Sequence, residues 1–168
     1  FNDFRKEIFS KIKPKSNSNI LLVGCGFGDE IIFLRKNFNL KNKIYAQDIS
    51  PEMITESAKT CRGQNVSFSI SDSAHLPYKT NKFDFVIQIG GFNQFEKKKS
   101  SLKEMFRVLK NNGTIYICDE GIGPWLSKTD IFKALVNNNN LWSHLPPIKL
   151  LPENANNVSF GWILKNNF

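Results

Sequence analysis

The stretch Ile20-Leu21-Leu22-Val23-Gly24-Cys25-Gly26-Phe27-Gly28-Asp29-Glu30 decides the fold of this chain. Its continuous apolar run, Ile20 to Val23, has the composition of a strand buried on both faces, as in a parallel sheet. Glycines at alternate positions follow at once, and two acids then open a helix. Glycine has no Cβ, so such a loop turns sharply and lets its backbone approach a ligand. Strand, glycine turn and helix in that order form the first unit of a nucleotide-binding α/β sheet.

The same alternation continues on either side. Phe1, Phe4, Ile8, Phe9 and Ile12 recur at helical spacing before Pro14, which predicts an amphipathic helix over residues 1–15. After the glycine loop the pattern predicts a strand Lys43 to Gln47, a helix Pro51 to Cys61, and strands Val66 to Ser71 and Phe83 to Ile89. A helix Lys98 to Leu109 and a strand Thr114 to Cys118 complete the series. Ser50-Pro51-Glu52 is a helix start: an N-cap hydroxyl, proline at the first helical position and an acid in the first turn. Asn111-Asn112-Gly113 reads as a turn. The expected architecture is α/β: a doubly wound, Rossmann-like open twisted sheet, mostly parallel, with helices on both faces. Beyond residue 120 the sequence predicts a helix Lys128 to Val136, a proline-rich stretch Leu145 to Pro152 and an apolar strand Val158 to Leu164.

Ligands of such sheets bind beyond the carboxyl ends of the strands. That rule selects the Gly24 to Gly28 loop, Asp48, Asp72, Gln88 to Phe92, and Asp119-Glu120. Asp48 follows the last loop glycine by about twenty positions, where a carboxylate accepts both hydroxyls of a ribose. Ile49 is placed to lie against an adenine ring. A dinucleotide would set its pyrophosphate at the helix start, where Asp29 and Glu30 disfavour it. S-adenosylmethionine carries no phosphate, and its sulfonium and ammonium groups suit nearby acids.

Taken as an ordered set, Ile20 to Gly28, Ala46-Gln-Asp-Ile-Ser-Pro-Glu-Met53, Asp72-Ser-Ala-His-Leu-Pro-Tyr78, Phe83-Asp-Phe-Val-Ile87 and Val108 to Gly113 resemble the motifs of class I S-adenosylmethionine-dependent methyltransferases. The resemblance covers roughly residues 16–120 and is nearest to the small-molecule enzymes that include ubiquinone and menaquinone biosynthesis methyltransferases. It implies one domain over 1–168, with a cofactor-binding core at 16–120 and an acceptor-side region at 121–168. It further implies that Gly24, Cys25, Gly26 and Gly28 pass under the methionyl part and that Asp48 and Ile49 hold the adenosine. Asp72 and Ser73 would contact the adenine, and Gln88 and Ile89 would line the methionyl side. One departure stands out: the family usually has an acid two positions before the first glycine, and here that residue is Leu22. The family sheet also has two further strands after the fifth. Here there is room for one, so the sheet is expected to be shortened, or its last strand to lie beyond Phe168.

Methyl transfer needs no protonated leaving group, so catalysis can rest largely on positioning. Glu120, Asp119, His144 and His75 are the available bases if the acceptor must lose a proton. Phe92, Phe95, Trp125 and Trp142 are candidates for the wall of an acceptor pocket. Ile89-Gly-Gly-Phe-Asn93 lacks the Asn/Asp/Ser-Pro-Pro-aromatic motif of many amino-methylating enzymes of nucleic-acid bases, and a Pro-Cys pair is absent. The absence of these motifs disfavours a nucleic-acid partner and favours a small-molecule acceptor. The net charge of +8 would suit an anionic partner such as nucleic acid or a membrane surface, but apart from Lys97-Lys98-Lys99 its lysines are spread along a Lys-, Asn- and Ile-rich chain, and compositional bias is the blander cause. The three cysteines, Cys25, Cys61 and Cys118, are widely spaced, and no Cys or His has metal-ligand spacing, so no metal site is expected. No apolar run approaches the roughly 18 residues that span a bilayer, which predicts a cytoplasmic chain without membrane insertion. A non-catalytic cofactor- or partner-binding module of the same fold is the alternative that Leu22 and the short C-terminal region favour. A nicotinamide oxidoreductase would require a pyrophosphate beside Asp29 and Glu30.

Overall fold

The computed structural model of the chain describes residues 2–163. Its main elements are α1 (Asn2–Ser10), β1 (Ile20–Val23), α2 (Asp29–Asn37), β2 (Ile44–Asp48), α3 (Pro51–Thr60), β3 (Val66–Ile70), β4 (Phe83–Ile89), α4 (Lys98–Val108), β5 (Leu109–Cys118) and α5 (Asp130–Asn138). The strands form one parallel sheet in the order β3-β2-β1-β4-β5. Chain direction across the sheet reverses at β1, so β1 and β4 flank the switch point at which this fold class binds ligands.

Two apolar layers hold the sheet. On one face Ile20 and Leu22 of β1 and Ile44 and Ala46 of β2 pack with Ile8, Phe9 and Ile12 near α1 and with Ile31 and Leu34 of α2. On the other, Leu21, Val23 and Val86 pack with Leu102, Met105 and Val108 of α4. Each such Val, Leu, Ile, Phe or Met side chain, fully buried, contributes about 1.5–3 kcal/mol. The Ser50 hydroxyl accepts the Met53 N–H at 3.1 Å, starting α3 where the sequence places it. The segment between β3 and β4 is fixed to α4 by Glu104, which accepts the Leu76 N–H at 2.8 Å, and by Arg107, which donates to the Leu76 and Tyr78 carbonyls at 3.0 and 2.7 Å.

Three expectations change. Asn111-Asn112-Gly113 do not separate α4 from the strand; they lie inside β5, where Phe83 pairs with Leu109 and Phe85 with Thr114. The turn residues form the excursion that this irregularity requires. The helix expected at Lys128 to Val136 starts later, because Thr129 caps it by accepting the Phe132 N–H at 3.2 Å. The strand expected at Val158 to Leu164 does not form over its described residues, and Leu164 lies outside them. Its alternating apolar residues are used otherwise: Trp162 stacks edge-on against Trp125 at 5.6 Å and covers Gly121, while Phe160 stays exposed. Among the described residues the sheet therefore ends at β5, and no helix is long and apolar enough to cross a membrane.

Candidate functional site

The carboxyl ends of β1, β2, β3 and β4 meet around the glycine loop. Gly24, Gly26 and Gly28 have φ of 67°, 50° and 86°, the left-handed region that L side chains avoid. Their surroundings differ. A Cβ on Gly28 would stand 2.5 Å from Ser57 Oγ and 2.9 Å from Cys61 Sγ, so this glycine lets α2 pack onto α3. A Cβ on Gly26 would meet nothing within 4 Å. After β4, Gly90 and Gly91 repeat that arrangement, with φ of 70° and 91° and open space at both.

The loop is tied to β2 by three backbone donors. Gly24 N–H donates to Gln47 Oε1 at 3.1 Å, Cys25 N–H to the Gln47 carbonyl at 2.9 Å, and Gly26 N–H to Asp48 Oδ2 at 3.0 Å. Asp48 Oδ1 also accepts the Ser50 N–H at 3.0 Å. Each Asp48 oxygen therefore holds one backbone donor and keeps further accepting capacity. Ile49 beside it is 69% exposed, a large apolar side chain presented to solvent at the strand end.

Asp72 accepts the Ala74 N–H at 2.8 Å, with Lys97 Nζ at 3.6 Å and His75 Nδ1 at 3.7 Å. That backbone bond, with Lys97 and His75, holds its carboxyl below the usual range. Ser73 is buried and shares a 2.7 Å hydrogen bond with Ser101, which leaves only its backbone for a ligand. Cys25 likewise points inward, and burial pushes its thiol up to about 12. Ile89 packs into the core. Gln88 is 1% exposed; its Nε2 donates to the Gly90 carbonyl at 2.7 Å, and its buried Oε1 has no hydrogen-bond partner. A buried acceptor without a donor is rare enough to call for an explanation.

Of the four base candidates, Asp119 is a clamp: it accepts N–H groups from Gly91 at 3.1 Å, Asn93 at 2.5 Å and Glu120 at 2.9 Å, fixing the turn after β4 to the end of β5. Glu120 has its carboxyl pushed up, first by burial and then by Asp119. His75 is largely exposed, and His144 Nδ1 lies 3.2 Å from the Leu141 carbonyl. An apolar cavity of about 560 Å³ opens next to the turn after β4, lined by Phe92, Pro124, His144, Leu145, Phe160 and Trp162 among others. Of the expected wall only Phe92 lines it; Trp125 supports Trp162 from behind, and Phe95 packs on Phe92 at 5.2 Å. Among the described residues no cluster suits a metal ion.

Two features were not anticipated. Arg5 of α1 pairs with Asp29 and Glu30 at 3.1 Å each, so the acids at the start of α2 are partly neutralised rather than bare charges. Gln47 anchors the loop; the signal for it was an amide following the apolar run Ile44-Tyr45-Ala46 of β2.

Residues 14–167 match the family described as a methyltransferase domain. The chain belongs to that family. Its likeness to class I methyltransferases, read from the ordered motifs, thus holds. A demethylmenaquinone methyltransferase of Lactobacillus johnsonii is 34% identical over 122 residues, which are 70% of this chain and 50% of that protein. A ubiquinone/menaquinone biosynthesis C-methyltransferase of Wigglesworthia glossinidia brevipalpis is 35% identical over 107 residues, 61% of this chain and 43% of its own. A SAM-dependent methyltransferase from Aquifex aeolicus superposes with a TM-score of 0.63 at 25% identity, over 71% of this chain and 68% of that one. The chain spans about half the length of the relatives it matches.

Proposed function

We propose that this methyltransferase domain binds S-adenosylmethionine at the carboxyl ends of β1, β2 and β4 and directs its methyl group to a small apolar acceptor. The observation that carries the reading is the pair of neighbouring glycine turns at the switch point. Gly26, Gly90 and Gly91 are all left-handed, and a Cβ on any of them would enter open space rather than protein. Backbone shaped in this way beside free volume suits close approach of a ligand.

The residues present fit the cofactor. Asp48 keeps accepting capacity for ribose hydroxyls after holding Gly26 and Ser50, and Ile49 offers an apolar surface to adenine. The partnerless Gln88 Oε1 suits an ammonium donor. When bound, S-adenosylmethionine supplies a methyl group on a sulfonium, whose displacement needs no acid.

The chain's own part is then positioning and exclusion of water. The cavity behind Phe92 lies within the roughly 300–1,000 Å³ usual for small-molecule sites, and its almost wholly apolar lining selects an acceptor with a ring-sized apolar body. Three free thiols, two of them buried, agree with a reducing cytoplasm.

Calorimetric titration with S-adenosylmethionine, S-adenosylhomocysteine and NAD tests the assignment. The wild-type chain should bind the two sulfur compounds and not NAD. Asp48→Ala should weaken them by about a hundredfold, the loss of two charge-assisted hydrogen bonds. No binding of S-adenosylhomocysteine, or tight binding of NAD, would overturn it.

A further inference from the structure

We infer that Gln47 is the positioning residue that holds the glycine loop in its binding shape, by joining the ends of β1, β2 and β3 through one buried amide. The inference rests on the proposed cofactor site and goes beyond it, because Gln47 itself touches only protein.

Its amide is hydrogen-bonded at both ends. Oε1 accepts the Gly24 N–H at 3.1 Å, Nε2 donates to the Ser71 carbonyl at 3.0 Å, and the group is 1% exposed. The Gln47 carbonyl takes the Cys25 N–H at 2.9 Å, so one residue fixes two successive loop amides. The next loop amide, Gly26 N–H, goes to Asp48. Asp48 and Ser71 are themselves linked, the Ser71 N–H donating to the Asp48 carbonyl at 3.0 Å. A rotation of the Gly24 peptide would therefore unpair a half-buried donor as well as displace the chain beside Asp48.

The need for such a residue follows from β1. Leu22 is 3% exposed and buried among Ile20, Ile31 and Ala46, so its side chain offers the loop no polar contact. A glutamine is also the side chain that this place demands. The Gly24 N–H needs an acceptor and the Ser71 carbonyl needs a donor, and only a group carrying both satisfies them together. An ionised carboxylate would satisfy the first and repel the second, close to Asp48.

That asymmetry gives a test. Gln47→Met keeps the volume and removes both bonds. Gln47→Glu places an acid where burial and Asp48 raise its pKa, so its protonated form restores donor and acceptor and its ionised form does not. For S-adenosylhomocysteine, Gln47→Met should bind about tenfold more weakly than wild type at every pH. Gln47→Glu should match that loss at pH 8 and recover most of it at pH 5.5, a pH profile absent from the wild type. In the ligand-free proteins, hydrogen exchange at Gly24 N–H should be faster in Gln47→Met than in wild type, whereas the carboxylate of Gln47→Glu at pH 8 still accepts that N–H and keeps it protected. Should Gln47→Met fail to fold, the two pH values within Gln47→Glu carry the comparison. If the wild type binds and the variants bind equally well without a pH profile, or Gly24 keeps its protection in Gln47→Met, the role of Gln47 is overturned and the cofactor site stands. If the wild type does not bind, both fall.

Discussion

Gly26 and Gly28 have similar backbone conformations and opposite surroundings, so replacing each with alanine separates binding from stability. Both substitutions place a Cβ on a left-handed residue, at a cost of about 1–2 kcal/mol. At Gly26 nothing else is met within 4 Å, and the loss stops there. At Gly28 the new carbon stands 2.5 Å from Ser57 Oγ and 2.9 Å from Cys61 Sγ. Both groups are buried, one inside α3 and one at its cap, so neither can retreat without moving the helix. Overpacking of that kind adds about 1–3 kcal/mol. At about 2–4 °C per kcal/mol for a chain of this size, Gly26→Ala should lower Tm by roughly 2–8 °C and Gly28→Ala by up to roughly 20 °C. Binding should rank the other way: the Gly26 Cβ enters the space assigned to the cofactor, and S-adenosylhomocysteine affinity should fall at least about tenfold in the more stable of the two variants. Differential scanning calorimetry with titration of both variants checks this. Equal losses of Tm, or wild-type affinity in Gly26→Ala, would refute the division of roles.

Leu22→Asp, which introduces the acid usual at that position, should lower stability by about 3 kcal/mol or more and not tighten S-adenosylhomocysteine binding, since its carboxylate enters the core; urea unfolding would show it, and a stable, tighter-binding variant would contradict it. Glu104 is held below the usual carboxylate range first by its hydrogen bonds to Arg107, so its contribution is complete above the unfolded value of about 4.3 and is lost as pH falls through the lowered one. The urea midpoint should therefore drop below about pH 4.5, and Glu104→Gln should flatten that part of the profile. Cys25, with its thiol pushed up to about 12, should resist iodoacetamide at pH 8 in the folded protein and react only after unfolding; mass spectrometry showing rapid native labelling would contradict its burial.

The strands and the glycine loop were legible because the forces that form them are local. A run such as Ile20 to Val23 can bury both faces only in one place, and Ser50-Pro51 carries its helix start within itself. The carboxyl-end rule selects Asp48 and Gln88, and both stand at strand ends beside the two glycine turns. Where local pattern and long-range packing compete, reading fails. Phe160, Trp162 and their neighbours alternate as a strand would, but Trp162 packs against Trp125 and Gly121 instead of entering a ladder.

The bonds that tie the glycine loop to its neighbours are non-local, and local pattern does not encode them. Gly24 meets Gln47, and Gln47 meets Ser71, across separations of 23 and 24 residues; Arg5 meets Glu30 across 25. No periodicity encodes these pairs. What the sequence does carry is their residue type: Gln47 and Gln88 are amides at positions facing the core, where an apolar side chain would pack more cheaply. A buried amide persists in such a strand only if its hydrogen bonds are made. Gln47 makes them within the protein, whereas Gln88 leaves Oε1 unpaired, and under the proposed function that difference assigns Gln47 to the loop and Gln88 to the ligand.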